Sequence, residues 1–386
     1  MNIPSTWLTA FDRVWEQVVS GKVHLDSARS KLPGPTKQAM APALQAILRR
    51  PVSLSEQLGV LLPKGEPWSL SLDKRAHWDR GRRLFEAFLK HGKPAVMPDA
   101  ADAEREFPPE LLKIWRDDWG DEKTAALARA LAMDPPTFLR ARTRIKPEAL
   151  GTELKSSLQD VAIKASERVP TALRIQGYSS VFKTAAFERG DFEIQDEGSQ
   201  WIALLCRSPE QVSSWARMAP AEMPSPSSID LAVAKGAPIW IDACAGAGGK
   251  TLALADLLGG RGRVYAYDVS EGRLKALRSR AQRAGFTNIQ AVKVEEGNES
   301  ATVEKFKASA DGVLVDAPCT GWGVLRRNPD AKWRDPKGFE AERERLAQIQ
   351  MRLLSSYSAL VKPGGILVYS LCTFSEAETF GVTERW

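Results

Sequence analysis

Ile239-Trp240-Ile241-Asp242-Ala243-Cys244-Ala245-Gly246-Ala247-Gly248-Gly249-Lys250-Thr251 is a short apolar run, then a glycine-rich turn, then the start of a helical pattern. That order reads as a buried strand that delivers its carboxyl end to a turn. Glycines there let a ligand approach the backbone, because no Cβ holds it off. A phosphate loop, Gly-x-x-x-x-Gly-Lys-Thr, needs glycine at position 244, where this chain has Cys244, so ATP binding is set aside. Similar apolar runs follow at 264–267, 289–294, 313–316 and 366–370, with helical patterns around 250–258, 271–284 and 340–361. Buried strands alternating with helices predict an α/β, Rossmann-like, doubly wound parallel sheet. Ligands of such sheets bind at the carboxyl ends of the strands.

Upstream the texture differs. Residues 1–100 carry helical apolar stripes: Trp7, Leu8, Phe11, Val14, Trp15, Val18 and Val19; then Met40, Leu44, Ile47 and Leu48; then Trp78, Leu84, Phe85, Phe88 and Leu89. These predict a helical bundle whose aromatic residues form a core. Residues 101–206 predict a small α+β region. One helix stops at Gly120, and a second runs from about Lys123 to Asp134-Pro135-Pro136. Then Phe138 to Arg144 alternates like a strand. Its Arg140, Arg142 and Arg144 would either meet phosphate or form a solvated face. Residues 207–237, rich in Pro and Ser, predict a linker or insertion before a catalytic domain at 238–386.

Composition narrows the chemistry. The 386 residues are 43% hydrophobic and 26% charged, as expected of a soluble globular chain. Neither a membrane span nor an N-terminal signal pattern is visible, so a cytoplasmic location is expected. The formal charge of +6 suits a polyanionic partner. The four cysteines lack C-x-x-C spacing, which argues against structural zinc. The three histidines, His24, His77 and His91, all lie in the first hundred residues. Chemistry beyond them must therefore use Cys, Lys, Asp or a cofactor.

The strand ends supply such groups. The second strand ends in Asp268, an acid placed to bind ribose hydroxyls of a nucleoside cofactor or simply to cap a helix, with Arg273 five residues on. The fourth ends in Asp316-Ala317-Pro318-Cys319, and the fifth in Tyr369-Ser370-Leu371-Cys372. A single cysteine is usually a small buried hydrophobe. Two at the ends of neighbouring strands, beside an acid and basic residues, point to chemistry.

These motifs resemble the RsmB/NOP/Sun family of RNA 5-methylcytosine methyltransferases. The family's cofactor turn, D-x-C-A-A-P-G-G-K-T, is matched from Asp242 to Thr251. Its base-binding loop, D-A-P-C-S-G-x-G-x-x-R-R-x-P-D-x-K-W, is matched from Asp316 to Trp333. Its nucleophile loop, Y-S-T-C-S, is matched from Tyr369 to Thr373, and its Q-D-E-A-S-Q segment from Gln195 to Gln200. The resemblance implies a class I methyltransferase fold using S-adenosylmethionine, acting as a monomer without metal on ribosomal or transfer RNA. Residues 1–100 are similar in helical pattern to the NusB-like domain of the RsmB branch, which implies ribosomal RNA.

The resemblance also implies residue roles. Cys372 is the nucleophile that attacks carbon 6 of cytosine, and Cys319 assists product release. Asp316 bonds the cytosine edge, supported by Lys250. Cys244, Ala245, Gly246, Ala247, Gly248, Gly249, Lys250, Asp268, Arg273, Glu296 and Asp316 surround the cofactor. Arg326, Arg327, Lys332 and Arg334 hold the RNA backbone, with Trp322 or Trp333 stacking on a base. The chain departs from the pattern at Gly246-Ala247, where the family has Ala-Pro, and at Leu371 and Thr373 beside the nucleophile. It stops at Trp386, fourteen residues after Cys372, which implies a sheet lacking its last strands. The alternative readings are an RNA-binding ribosome-assembly factor with an impaired catalytic core, and a transfer RNA methyltransferase of the same chemistry.

Overall fold

The computed structural model describes residues 4–19, 24–58, 60, 74–91, 103–177, 181–206, 237–298, 304–334 and 338–386. Residues 207–236 of the expected 207–237 linker lie outside these, as do the side chains of Val19 and Trp78. The described chain divides into two compact units, one holding residues 1–135, 319–348 and 372–385, the other 136–318 and 349–371 together with 386.

The first unit is helical: α1 (Ser5–Val19), α2 (Leu25–Ser30), α3 (Gly34–Arg49), α4 (Pro51–Gln57), α5 (Lys74–His91) and α6 (Pro109–Ala132). The stripes read from the sequence form its core, where Phe11, Trp15, Leu44, Ile47 and Phe85 are buried and Phe11 stacks on Phe85 with ring centroids 4.3 Å apart. Gly81 lies inside α5 because the Trp15 indole packs directly on its Cα, and a Cβ there would come within 2.4 Å of the ring. Helix α6 breaks at Gly120, whose φ of +77° suits glycine, as the sequence predicted. A second cluster gathers Phe107 and Trp115 with Trp322, Phe339 and, at its margin, Phe374.

The second unit holds two sheets. The smaller is antiparallel, in the order β2 (Val161–Ala165), β3 (Ala172–Gly177), β1 (Thr137–Ala141), β4 (Phe192–Ile194). Between its strands run α7 (Pro147–Ser157) and α8 (Ala185–Glu188), and α9 (Glu197–Leu205) follows. The larger sheet is parallel, in the order β7 (Ile289–Lys293), β6 (Arg263–Asp268), β5 (Ile239–Asp242), β8 (Ala310–Asp316), β9 (Val361–Ser370). Helices α10 (Gly249–Leu257), α11 (Glu271–Arg283) and α12 (Phe339–Ser358) follow β5, β6 and β8 in the chain. The central strands are buried on both faces, which is why they read as unbroken apolar runs rather than alternating ones. The short α13 (Phe380–Thr383) closes the described chain. No helix among the described residues is long and apolar enough to cross a membrane.

One expectation is corrected in β1 and the turn after it. Arg140 and Arg142 neither meet phosphate nor form a solvated face, because both are buried. Asp256 of α10 accepts from Arg140 Nη1 at 3.2 Å, from Arg142 Nε at 2.6 Å and from the Thr143 amide at 2.9 Å. Gln195 accepts from Arg140 Nε at 2.7 Å, and the Arg142 guanidinium lies 4.0 Å over the Phe286 ring. Only Arg144 of the three stays largely exposed, where it pairs with Asp191. One carboxylate thus balances two buried guanidinium groups. Replacing Asp256 with Ala removes the direct ion pair of both guanidinium groups, and a loss of about 3–5 kcal/mol is expected. Urea unfolding checks this, and a loss below about 1 kcal/mol contradicts it.

Candidate active site

The candidate residues fall in both compact units, so each group is built by itself. In the second unit, the turn after β5 is fixed from several sides. The Ala245 amide donates to Tyr267 O at 2.8 Å, and the Gly246 amide donates to Asp268 Oδ2 at 2.8 Å. Gly246 has φ +55° and Gly248 φ +88°, so both adopt the left-handed conformation that glycine tolerates. Gly248 also packs on α11, since a Cβ there would meet Leu277 Cγ at 2.6 Å. Nothing lies within 4 Å of the position a Cβ would take on Gly246. That side of the turn is open, and the turn leads straight into the first amides of α10.

Asp268 closes the end of β6. Its Oδ1 accepts from the Ser270 amide at 2.8 Å while Oδ2 holds the Gly246 amide, so the carboxylate is oriented by backbone alone. Each oxygen keeps a second acceptor direction. An oriented acid beside an open glycine turn and a helix N-terminus fits a nucleoside with a carboxylate-bearing tail, as S-adenosylmethionine is. Arg273 lies exposed in the first turn of α11, and Glu296 lies exposed after β7. The side chain of Cys244 is half-buried.

Lys250 and Asp316 meet as the sequence reading implied. Lys250 Nζ donates to Asp316 Oδ2 at 2.6 Å, and Ser370 Oγ donates to Asp316 Oδ1 at 2.8 Å. Behind them Asp242 is buried and accepts from Thr251 Oγ1 at 2.6 Å. Burial, reinforced by the nearby Asp316 charge, pushes the Asp242 carboxyl up to about 7, against the lowering effects of Thr251 and Lys250.

In the first unit, Cys319 and Cys372 stand with their sulfurs 3.3 Å apart. Cys372 is exposed and Cys319 half-buried. The hydrogen bond to Cys372 pushes the Cys319 thiol well above its usual range, with burial and the neighbouring charges of Cys372 and Glu378 adding to it. The shift favours the protonated form of Cys319, and either sulfur can donate to the other across this contact. An exposed thiol beside a second thiol is an arrangement suited to nucleophilic chemistry with proton exchange between the two sulfurs.

Three expectations for RNA contact are corrected. Lys332 is buried, and its Nζ donates to Arg49 O and Glu106 O, both at 2.6 Å. Burial lowers its pKa, with Glu106 opposing and Arg49 adding to the fall. Lys332 is an internal tie and cannot reach an RNA backbone. Trp322 and Trp333 are equally unavailable for stacking on a base. Trp322 is buried in the cluster with Trp115, and Trp333 donates to Leu48 O at 2.9 Å within the helical core. Arg326, Arg327 and Arg334 are half-buried; the Arg326 carbonyl accepts from Arg49 Nε at 2.7 Å. Sequence reasoning missed Ser370, Thr320, Thr373 and Glu378 around the reacting groups, and Arg280, which donates to Ala247 O at 2.6 Å. Among the described residues, no three His, Cys, Asp or Glu side chains are grouped to hold a metal ion.

Residues 230–386 match the family described as 16S rRNA methyltransferase RsmB/F. A probable ribosomal RNA small subunit methyltransferase B of Synechocystis is 32% identical over 286 residues, covering 72% of this chain and 56% of that protein. The chain spans about half the length of the curated relatives it matches. Among solved structures, PH0851 covers 100% of this chain and 89% of its own, with a TM-score of 0.69 and 21% identity. A methyltransferase homologue protein from Pyrococcus horikoshii gives a TM-score of 0.55 and 24% identity over 75% of this chain and 82% of its own. The structural likenesses show the fold.

The raised Asp242 carboxyl sets a pH dependence. Its unfolded value is near 3.8, so between there and about 7 the folded chain binds the proton more tightly than the unfolded chain does. Stability from this group is present at low pH and falls as pH rises through that window. Asp242→Asn removes the titration. The urea midpoint of wild type relative to Asp242→Asn should therefore fall between pH 4 and pH 7, whereas a constant difference contradicts the assignment.

Proposed function

Through residues 230–386 the chain belongs to the RsmB/NOP/Sun family of S-adenosylmethionine-dependent RNA methyltransferases, and from that premise we propose that it methylates carbon 5 of a cytosine in RNA through a covalent bond to Cys372. The observation that carries this reading is the pairing of exposed Cys372 with Cys319, sulfur to sulfur at 3.3 Å.

Carbon 5 of cytosine is a weak nucleophile. Addition of the Cys372 thiolate to carbon 6 pushes an electron pair toward carbon 5, which then carries the reactivity of an enamine. Asp316, held between Lys250 and Ser370, bonds the cytosine edge and steadies charge on the ring during that addition. S-adenosylmethionine, when bound, supplies a methyl group on a positively charged sulfur. The turn at 244–250 and Asp268 would hold it, with Arg273 and Glu296 as further candidates. After carbon 5 is methylated, its proton must leave. Its C–H electron pair restores the ring double bond, and the carbon 6–sulfur bond breaks with its electrons on Cys372. Cys319 serves as the relay, passing its own proton to the departing Cys372 sulfur and taking up the one from carbon 5.

Arg326, Arg327 and Arg334 are the remaining candidates for the RNA backbone, and the target base leaves its stack to react. The relatives' names support small-subunit ribosomal RNA as the substrate. The test is incubation with ribosomal RNA and methyl-labelled cofactor, followed by nucleoside mass spectrometry. Wild type should yield 5-methylcytidine. Cys372→Ala should lose at least about 10³-fold in rate, because the covalent route is gone. Full product from Cys372→Ala contradicts the mechanism.

A further inference from the structure

Next to the cysteines in the chain lies a set of polar groups, most of them buried, to which the proposed chemistry assigns no part. Glu378 and Ser375 are wholly buried, and Thr320 nearly so. Glu378 Oε2 accepts from the Thr320 amide at 2.9 Å, and Oε1 accepts from Thr320 Oγ1 at 2.6 Å. Thr320 Oγ1 lies 2.7 Å from Thr373 Oγ1. A hydroxyl has one proton. Thr320 gives its proton to Glu378, so Thr373 must donate to Thr320. Thr373 Oγ1 in turn accepts from the Ser375 amide at 3.2 Å. The bonds thus run in one direction, from the Ser375 amide through two hydroxyls to the carboxylate.

Thr320 directly follows Cys319, and Thr373 directly follows Cys372. We propose that Glu378 is a positioning residue: acting through Thr320 and Thr373, it locks the two cysteine-bearing segments together and sets the approach of Cys319 to Cys372. The backbone adds a second tie, since the Gly323 amide donates to Cys372 O at 3.0 Å and a Cβ on Gly323 would come within 2.9 Å of that oxygen. The segment after Cys372 is anchored in turn on α6. Trp119 Nε1 donates to Phe374 O at 2.9 Å, and the Glu376 amide donates to Asp118 Oδ2 at 3.0 Å. The acid at the end of this relay also bears on the Cys319 thiol, since its charge is one of the influences that keep the proton on that sulfur. An uncharged glutamine would have to present an N–H₂ to one of the two Thr320 donors, which breaks the direction of the chain.

The lock itself stands on geometry alone, and only its kinetic consequence rests on the proposed function. Its direct readout is closure of a disulfide between Cys319 and Cys372 by diamide in the full chain. Each thiol gives up a proton and an electron, and the N=N bond of diamide takes up both pairs to become a hydrazine. Closure is followed by loss of free thiols and by peptide mapping. Wild type and Thr373→Ser, which keeps the hydroxyl, should close within about twofold of each other, whereas Glu378→Gln and Thr373→Val should be slower by about tenfold or more. In methyl transfer the latter two should lose kcat by about tenfold while KM for RNA and for cofactor stays within about twofold. If Glu378→Gln does not fold, the near-isosteric Thr373→Val decides. Closure in Thr373→Val at the wild-type rate overturns the proposal. Slow closure with unchanged kcat upholds the lock and instead contradicts the reading of these cysteines as the reacting pair.

Discussion

Strands β8 and β9 run parallel in a fixed register, from Gly312 opposite Ile366 to Asp316 opposite Ser370. A slip of one residue would turn every side chain of β9 to the other face of the sheet. The slip would also part Ser370 from Asp316, and with it the hydrogen bond that orients the carboxylate toward Lys250. Cys319 comes three residues after Asp316, and Cys372 two after Ser370. The register of one strand pair therefore sets where the acid and its hydroxyl partner lie. The sheet positions the acid and the lysine directly. The cysteines depend on further ties of their own, through Thr320, Thr373 and Glu378.

Much of this was legible in the sequence, for physical reasons. A strand buried on both faces must be apolar throughout, so β5, β6 and β8 announce themselves as runs, and a turn that needs positive φ announces itself through Gly246 and Gly248. The pairing of Lys250 with Asp316 is implied by the resemblance of their motifs to the family's, and the two cysteines stand out because each closely follows an apolar run read as a strand. What stayed hidden was the use of polar residues inside the protein. Nothing in the stretch around Lys332 marks its ammonium as bound to two buried carbonyls, and nothing in the stretch Phe138 to Arg144 marks Arg140 and Arg142 as partners of an acid more than a hundred residues away. A lysine or arginine is read as surface or ligand contact because burial is rare without a partner, and the partner is visible only in three dimensions. Trp322 and Trp333 fail for the complementary reason, since an aromatic side chain that suits a nucleobase suits a core equally well.

The corrections reshape the proposed RNA contact. With Lys332, Trp322 and Trp333 inside the protein, much of the segment from Trp322 to Trp333 is structural, and Arg326, Arg327 and Arg334 remain as its candidates for phosphate. The chemical groups are unaffected. Asp316 has its bonds to Lys250 and Ser370, and the cysteines have each other. The proposed division of labour between the cysteines accords with their surroundings: the hydrogen bond to Cys372, burial and nearby negative charge all favour the protonated form of Cys319, while Cys372 is exposed.

That division is the central claim, and trapping tests it most directly. With the relay thiol removed in Cys319→Ala, addition to cytosine and methylation proceed but release is impaired. Intact-mass analysis of this variant with RNA and cofactor should show a covalent adduct carrying the methylated base, mapped by peptide sequencing to Cys372. An adduct on any other residue, or free product released at the wild-type rate with no adduct, would contradict the account.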